Sequence, residues 1–295
     1  MDEKIASYQA LRRSKQDEIA RRVQIHQSKI SRASARMKAA KPAVPSPLAM
    51  LAHGDSWFDY PLSGNTPILG TTDIVEHLQN MGSPNPFILN LSQWGDATTT
   101  EMSWPKQQEV ITQLQNASNW FSGKPDAILI SGGGNDVAGD QFCIFLDDAP
   151  AGLDAVRFSD VLGMIEASYS VLFALRDKYA PGVPIFGHCY DFAVPDGRAT
   201  FCAGPWLGPS LSFCGYTVAQ GTPLVHQALQ DFKKKLAGFQ AVARNNFILV
   251  DTQGTLNNPD YTQDWANELH PYPEGFGAVA GKFLAALRAR FPGRV

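Results

Sequence analysis

Ser56 stands in the stretch GDSWF (54–58), directly after the apolar run LAMLAH (48–53). A serine lifted off the end of a buried strand is a candidate nucleophile, although Gly, Asp and Ser are also ordinary turn residues. A serine hydroxyl needs a base, and His270, followed by a Pro-rich turn, offers an imidazole. The tetrahedral oxyanion of acyl transfer needs preorganised donors. Three are in view: the backbone N–H of Ser56, that of Gly95 in QWGDATT (93–99), and the side-chain amide of Asn135 in GGGNDVAG (132–139). Each has a plainer reading, with Gly95 ending a strand, Asn135 capping a turn and His270 lying on the surface. Asp55 and Asp136 read as braces of their loops, and His53 and His188 as structural histidines.

These residues converge only if the elements before them are arranged to bring them together. LAMLAH, PFILNLS (86–92), DAILIS (126–131), VPIFGH (183–188) and NFILVD (246–251) are continuous apolar runs, as in strands covered on both faces. Helical patterns fall between them at about 71–81, 100–120, 157–180 and 222–244, with a last one at 275–291. Such alternation predicts an α/β protein with a mostly parallel five-stranded sheet and helices on both sides. Ligands then bind outside the carboxyl ends of the strands, the edge where the Ser56, Gly95 and Asn135 turns emerge.

The order GDS, isolated Gly, GxND, then His-Pro near the end resembles the SGNH (GDSL-type) hydrolase superfamily over residues 48–291. The resemblance implies a three-layer α/β/α, flavodoxin-like sandwich. It also implies Ser56 as nucleophile, Gly95 and Asn135 as oxyanion donors, His270 as base, and no cofactor. Activities in that superfamily include esterases, lipases, phospholipases and carbohydrate deacetylases. One departure stands out. The family's Asp, three residues before its His, is replaced by Asn267. Asp264 is the expected substitute as third catalytic member, with Glu268 or a backbone carbonyl as alternatives.

Residues 190–223 form too long a connection to be a plain loop and are dense in Gly, Pro and aromatics. They read either as a wall over the crevice, lined by Phe201, Trp206, Phe213 and Tyr216, or as a self-packed surface loop. Trp57, Trp206 and Phe213 are the candidate substrate contacts, Trp57 also packing the first helix onto the sheet. FCIFLDDAP (142–150) is a second flank.

The chain is expected to divide into a basic helical arm and linker (1–41) and an SGNH-type hydrolase domain (42–295). The arm has neither Pro nor Gly through residue 38, and Ile19, Val23, His26, Ile30, Ala33 and Met37 recur at heptad steps. It could dock on the body, pair with another chain, touch an anionic membrane, or remain solvated. Eleven basic residues against four acidic ones through Lys41 leave the rest near −10, which argues against a nucleic-acid enzyme. The Cys and His spacing lacks a zinc pattern, so no metal is expected. Cys202 and Cys214 share one segment and could pair, but free thiols are expected. No apolar run approaches the about 20 residues of a membrane helix. Without the apolar centre of a secretory signal at its start, the expected location is cytoplasmic, with signal-less export as the alternative. The expected function is ester hydrolysis on a small-molecule or lipid ester. The rival is a non-catalytic assembly protein on a hydrolase scaffold.

Overall fold

The computed structural model describes residues 2–39, 46–60, 73–199 and 204–295. A long helix α1 (Asp2–Ala39) precedes β1 (Ala49–Gly54), α2 (Ile74–Met81), β2 (Phe87–Asn90), α3 (Thr98–Glu101) and α4 (Trp104–Gln115). Then follow β3 (Ala127–Ser131), α5 (Gly134–Val137), α6 (Ala155–Tyr179), β4 (Ile185–His188), α7 (Leu207–Phe213), α8 (Val218–Ala241), β5 (Phe247–Val250) and α9 (Pro273–Arg290). The five strands form one all-parallel sheet in the order β2-β1-β3-β4-β5. The helices make it a three-layer α/β/α sandwich. β1, β3 and β4 are buried along their whole lengths, which is why their sequences show no alternation.

The chain order reverses between β1 and β3, so their carboxyl ends open a crevice between them. Gly54 pairs with Ser131 across this seam, and the Asp55 N–H donates to the Ser131 carbonyl at 2.9 Å. Gly54 adopts φ +149°, and a Cβ there would meet the Ser131 oxygen at 2.3 Å. Only glycine lets the two backbones approach so closely.

Two helix boundaries depart from the sequence reading. The stretch 100–120 is divided into α3, α4 and a 3-10 turn at Ala117–Asn119. Pro105 fits the first turn of α4 but is incompatible with a helix continuing from α3, so the chain restarts at Ser103. α8 begins a turn before 222, where Thr217 and Gln220 form a reciprocal capping box that outweighs Pro223 inside the helix. α6 also corrects the membrane expectation: by length and composition it is long and apolar enough to cross a bilayer. In the structure it packs against α4 and α8, burying Phe158, Ile165, Tyr169, Leu172 and Phe173.

α1 lies beside β2 and the 117–119 turn. Its heptad seam faces the body, with Ile19, His26 and Ile30 buried. The His26 Nε2 atom bonds the Asn119 carbonyl at 2.9 Å, and the Gln27 amide donates to Asn119 Oδ1 at 2.9 Å. Arg22 reaches the loops around the crevice, donating to Asp59 Oδ1 at 2.5 Å and to the Ser92 carbonyl at 3.2 Å. Phe201 and Cys202 lie outside the described residues, so the expected wall contact and the possible thiol pair fall there as well.

Candidate active site

Ser56 leaves β1 on a turn built by its neighbour. Asp55 Oδ1 accepts the Trp57 N–H at 3.0 Å and the Ser131 hydroxyl at 2.6 Å, while Oδ2 accepts the Tyr190 hydroxyl at 2.5 Å. Burial pushes this carboxyl up to about 6, against the pull of those donors. Asp55 is therefore the expected brace, and it spans β1, β3 and the loop after β4. His188 extends the network, its Nε2 atom lying 2.9 Å from Ser131 Oγ. Tyr190 holds an unusual φ of +56°. Its ring lines the crevice, a role with no local sign in the sequence.

The decisive contact joins the two ends of the fold. Ser56 Oγ and His270 Nε2 lie 2.7 Å apart, although 214 positions separate them in sequence. Behind the ring, Nδ1 lies 3.1 Å from Asn267 Oδ1. That oxygen also accepts the N–H groups of Leu269 and His270, each at 2.9 Å, which fixes the orientation of the amide. With an acceptor at Nδ1 the imidazole proton sits there, leaving Nε2 free to accept from serine. Burial lowers the His270 pKa to about 3, so the ring is a neutral base. Trp57 steadies the same loop by donating its indole N–H to the Leu269 carbonyl at 3.2 Å.

Asp264 does not take the expected third position. Its carboxylate accepts the Asn258 N–H at 2.8 Å, and Asn267 makes the contact to His270 instead. Glu268 also turns away, toward Gly197 and Gly208. The reason is local: a tight turn returns the Ala266 N–H to the His270 carbonyl, leaving residue 267 nearest the ring.

Asn135, at the start of α5, lines the same cavity as Ser56 and His270. Its amide donates to the Asp96 carbonyl at 2.8 Å, and Asp136 receives the Thr98 N–H and hydroxyl at 2.9 Å each. The loop after β2 is thereby tied to the loop after β3. Gly95, one residue before that carbonyl, has φ +80° and open space about its Cα, but is not among the cavity's lining residues.

Of the expected substrate contacts, Trp57 lines the cavity, and the Trp206 ring stands edge-on to His270 at 5.6 Å. Phe213 does neither: it ends α7 and is 83% exposed. Tyr216 is buried and bonds the Gly152 N–H and the Asp147 carbonyl, which makes it part of the 142–150 flank. The cavity holds about 30 Å³ and is also lined by Tyr190, Ala193, Trp265 and Leu269. A far larger groove of about 660 Å³ runs between α6 and α8, but neither Ser56 nor His270 lines it. Chemistry, rather than size, marks the functional site.

Neither a protein-family profile nor a curated protein matches the sequence. Solved structures do match. A lipase from a goat rumen metagenome is similar with a TM-score of 0.54 at 15% identity, covering 81% of this chain and 97% of its own. A phospholipase A1 from Streptomyces albidoflavus is similar with a TM-score of 0.50 at 13% identity, covering 81% and 99%. The chain shares the three-layer α/β/α fold of these two enzymes. In that fold the loops after β1, β2 and β3 and the turn before α9 share one rim, where Ser56, Asn135 and His270 are found.

Proposed function

We propose that this protein is a serine hydrolase that cleaves carboxylic esters through an acyl-enzyme on Ser56. The reading is carried by the 2.7 Å contact between Ser56 Oγ and His270 Nε2, within a cavity that Asn135 also lines. As Oγ attacks the ester carbonyl, His270 Nε2 takes the hydroxyl proton. The carbonyl oxygen becomes an oxyanion, with the Ser56 N–H and the Asn135 amide as its donors. The Asn135 amide carries two N–H donors, so one stays on the Asp96 carbonyl while the other meets the oxyanion. Collapse breaks the C–O bond, and Nε2 returns its proton to the leaving alcohol. Water then repeats the sequence on the acyl-enzyme, releasing the acid and restoring serine. Asn267 orients the ring throughout but brings no negative charge to the imidazolium.

The side chains of Trp57, Ala138, Tyr190, Ala193 and Leu229 line the cavity and suit the apolar part of a small ester. A fluorophosphonate probe should label Ser56, and Ser56→Ala should reduce turnover of 4-nitrophenyl acetate by about 10³-fold or more. A folded wild type that ignores both the probe and a panel of aryl esters would end this reading.

A lipid ester at an anionic surface is the second reading. It draws on the outer face of α1, where Arg13, Arg21, Lys29, Arg32 and Arg36 are exposed. Replacing Arg32 and Arg36 by Glu should then lower activity on anionic vesicles while sparing soluble acetate esters. Equal activity on the vesicles would remove that reading.

A further inference from the structure

Glu268 is completely buried, two residues before the catalytic base, and touches neither Ser56 nor His270. Its carboxylate instead gathers four backbone N–H groups from one distant segment. Oε1 accepts from Gly197 at 2.9 Å and Gly208 at 2.6 Å, and Oε2 accepts from Trp206 at 2.6 Å and Leu207 at 3.0 Å. Charge-assisted bonds of this kind are about twice as strong as neutral ones. The backbone is shaped to admit the carboxylate: a Cβ on Gly208 would lie 2.8 Å from Oε1 and 2.9 Å from the Gly197 Cα. A second tie runs parallel, with the Arg198 guanidinium donating to the Trp265 carbonyl at 2.8 Å. Gly197, Arg198 and residues 206–208 are thus fastened to the loop that carries His270. The result of that fastening is the position of Trp206, whose ring stands 5.6 Å from the imidazole.

The chemistry says which part of a substrate meets this wall. The alcohol oxygen must receive its proton from His270 Nε2, so the leaving group lies on the imidazole side of the scissile carbon. The acyl group occupies the other side. We infer that Glu268 is a positioning residue that seats Trp206 beside His270 and thereby limits the size of the leaving alcohol. The inference rests on the ester hydrolase reading above. Glu268 is not a catalytic residue, because its effect passes through Trp206.

Two variants loosen the clamp in different ways. Glu268→Gln keeps the shape but turns an amide NH₂ toward backbone N–H groups, and Gly208→Ala leaves the carboxylate intact but pushes it off its donors. The readout is the ratio of kcat/KM for 2-naphthyl acetate to that for ethyl acetate, each variant compared with wild type. A pocket wall discriminates by roughly 10-fold or more per small group, so this ratio should rise by about tenfold in both variants. The acyl-side ratio, 4-nitrophenyl butanoate to 4-nitrophenyl acetate, should stay at its wild-type value, as should fluorophosphonate labelling of Ser56. Both alcohols gaining or losing equally, or the acyl ratio moving as much as the alcohol ratio, would overturn the assignment. Hydrogen exchange judges the clamp without any ester. Peptides spanning 204–213 should exchange faster in Glu268→Gln while those of α9 do not, and unchanged exchange there also overturns it. A wild type inert to every ester would refute the hydrolase reading, and the exchange result would still decide the clamp.

Discussion

Asn267 stands directly behind His270, its side-chain oxygen 3.1 Å from Nδ1 and held in place by two backbone N–H groups. The contact supplies what the third member of a serine triad supplies in geometry, a fixed ring and a chosen tautomer. It omits the charge. The amide nitrogen lies 3.4 Å from the Tyr60 hydroxyl, so the residue is wedged between the base and an aromatic that also packs against that base at 4.8 Å.

Restoring the charge should therefore change the base more than its position. In Asn267→Asp a carboxylate beside Nδ1 favours the imidazolium and raises the His270 pKa from its burial-lowered value of about 3. Because the base must be neutral to act, the acidic limb of kcat/KM should move to higher pH in the variant, and the plateau should rise. Matching pH profiles for wild type and variant would show that residue 267 does not act on the ring electrostatically.

A second expectation concerns stability. Burial lowers the His26 pKa to about 4, below the ordinary histidine value, so the folded state holds this ring neutral. The unfolded chain binds a proton below about pH 6.5 that the folded chain refuses, so the contribution of His26 is present above that pH and fades as pH falls. Comparison with His26→Gln isolates this residue from the other buried groups. Between about pH 7 and about pH 5, urea unfolding should show wild type losing about 2 kcal/mol relative to the variant. A constant difference would mean that His26 titrates normally in the fold.

The third expectation separates the inner and outer faces of the arm. Arg22 bonds Asp59 and the Ser92 carbonyl, whereas Arg36 is exposed. Arg22→Ala leaves those partners unpaired in a half-buried site and should cost about 1–3 kcal/mol in urea unfolding. Arg36→Ala should stay within about 0.5 kcal/mol. Equal effects would mean that α1 is held by its apolar seam alone.

Ser56, Asn135 and His270 were legible because each follows or precedes an element whose type is written locally. Knowing the strand is enough to know the edge on which the turn emerges. The same logic gave the sheet, since five continuous apolar runs admit few other arrangements. What stayed hidden depends on chains returning from afar. Tyr190 reaches Asp55 across 135 positions, and Glu268 gathers amides some 60 to 71 positions away. Asp264 looked suitable by charge, but the backbone turn that returns to the His270 carbonyl gives the place to Asn267. Phe213 looked like pocket lining by composition, and the seven-residue helix α7 carries it outward instead. The heptad seam of α1 was visible, but its partner, the turn at Asn119, is a property of the folded body.

The docking of α1 has a consequence for how the protein keeps apart from its neighbours. β2 is an outermost strand, and outermost strands offer unsatisfied amides on which other chains can template. A helix laid alongside it obstructs that route. Truncation of the first forty residues would then reveal itself as aggregation at high concentration before any change in catalysis was measurable.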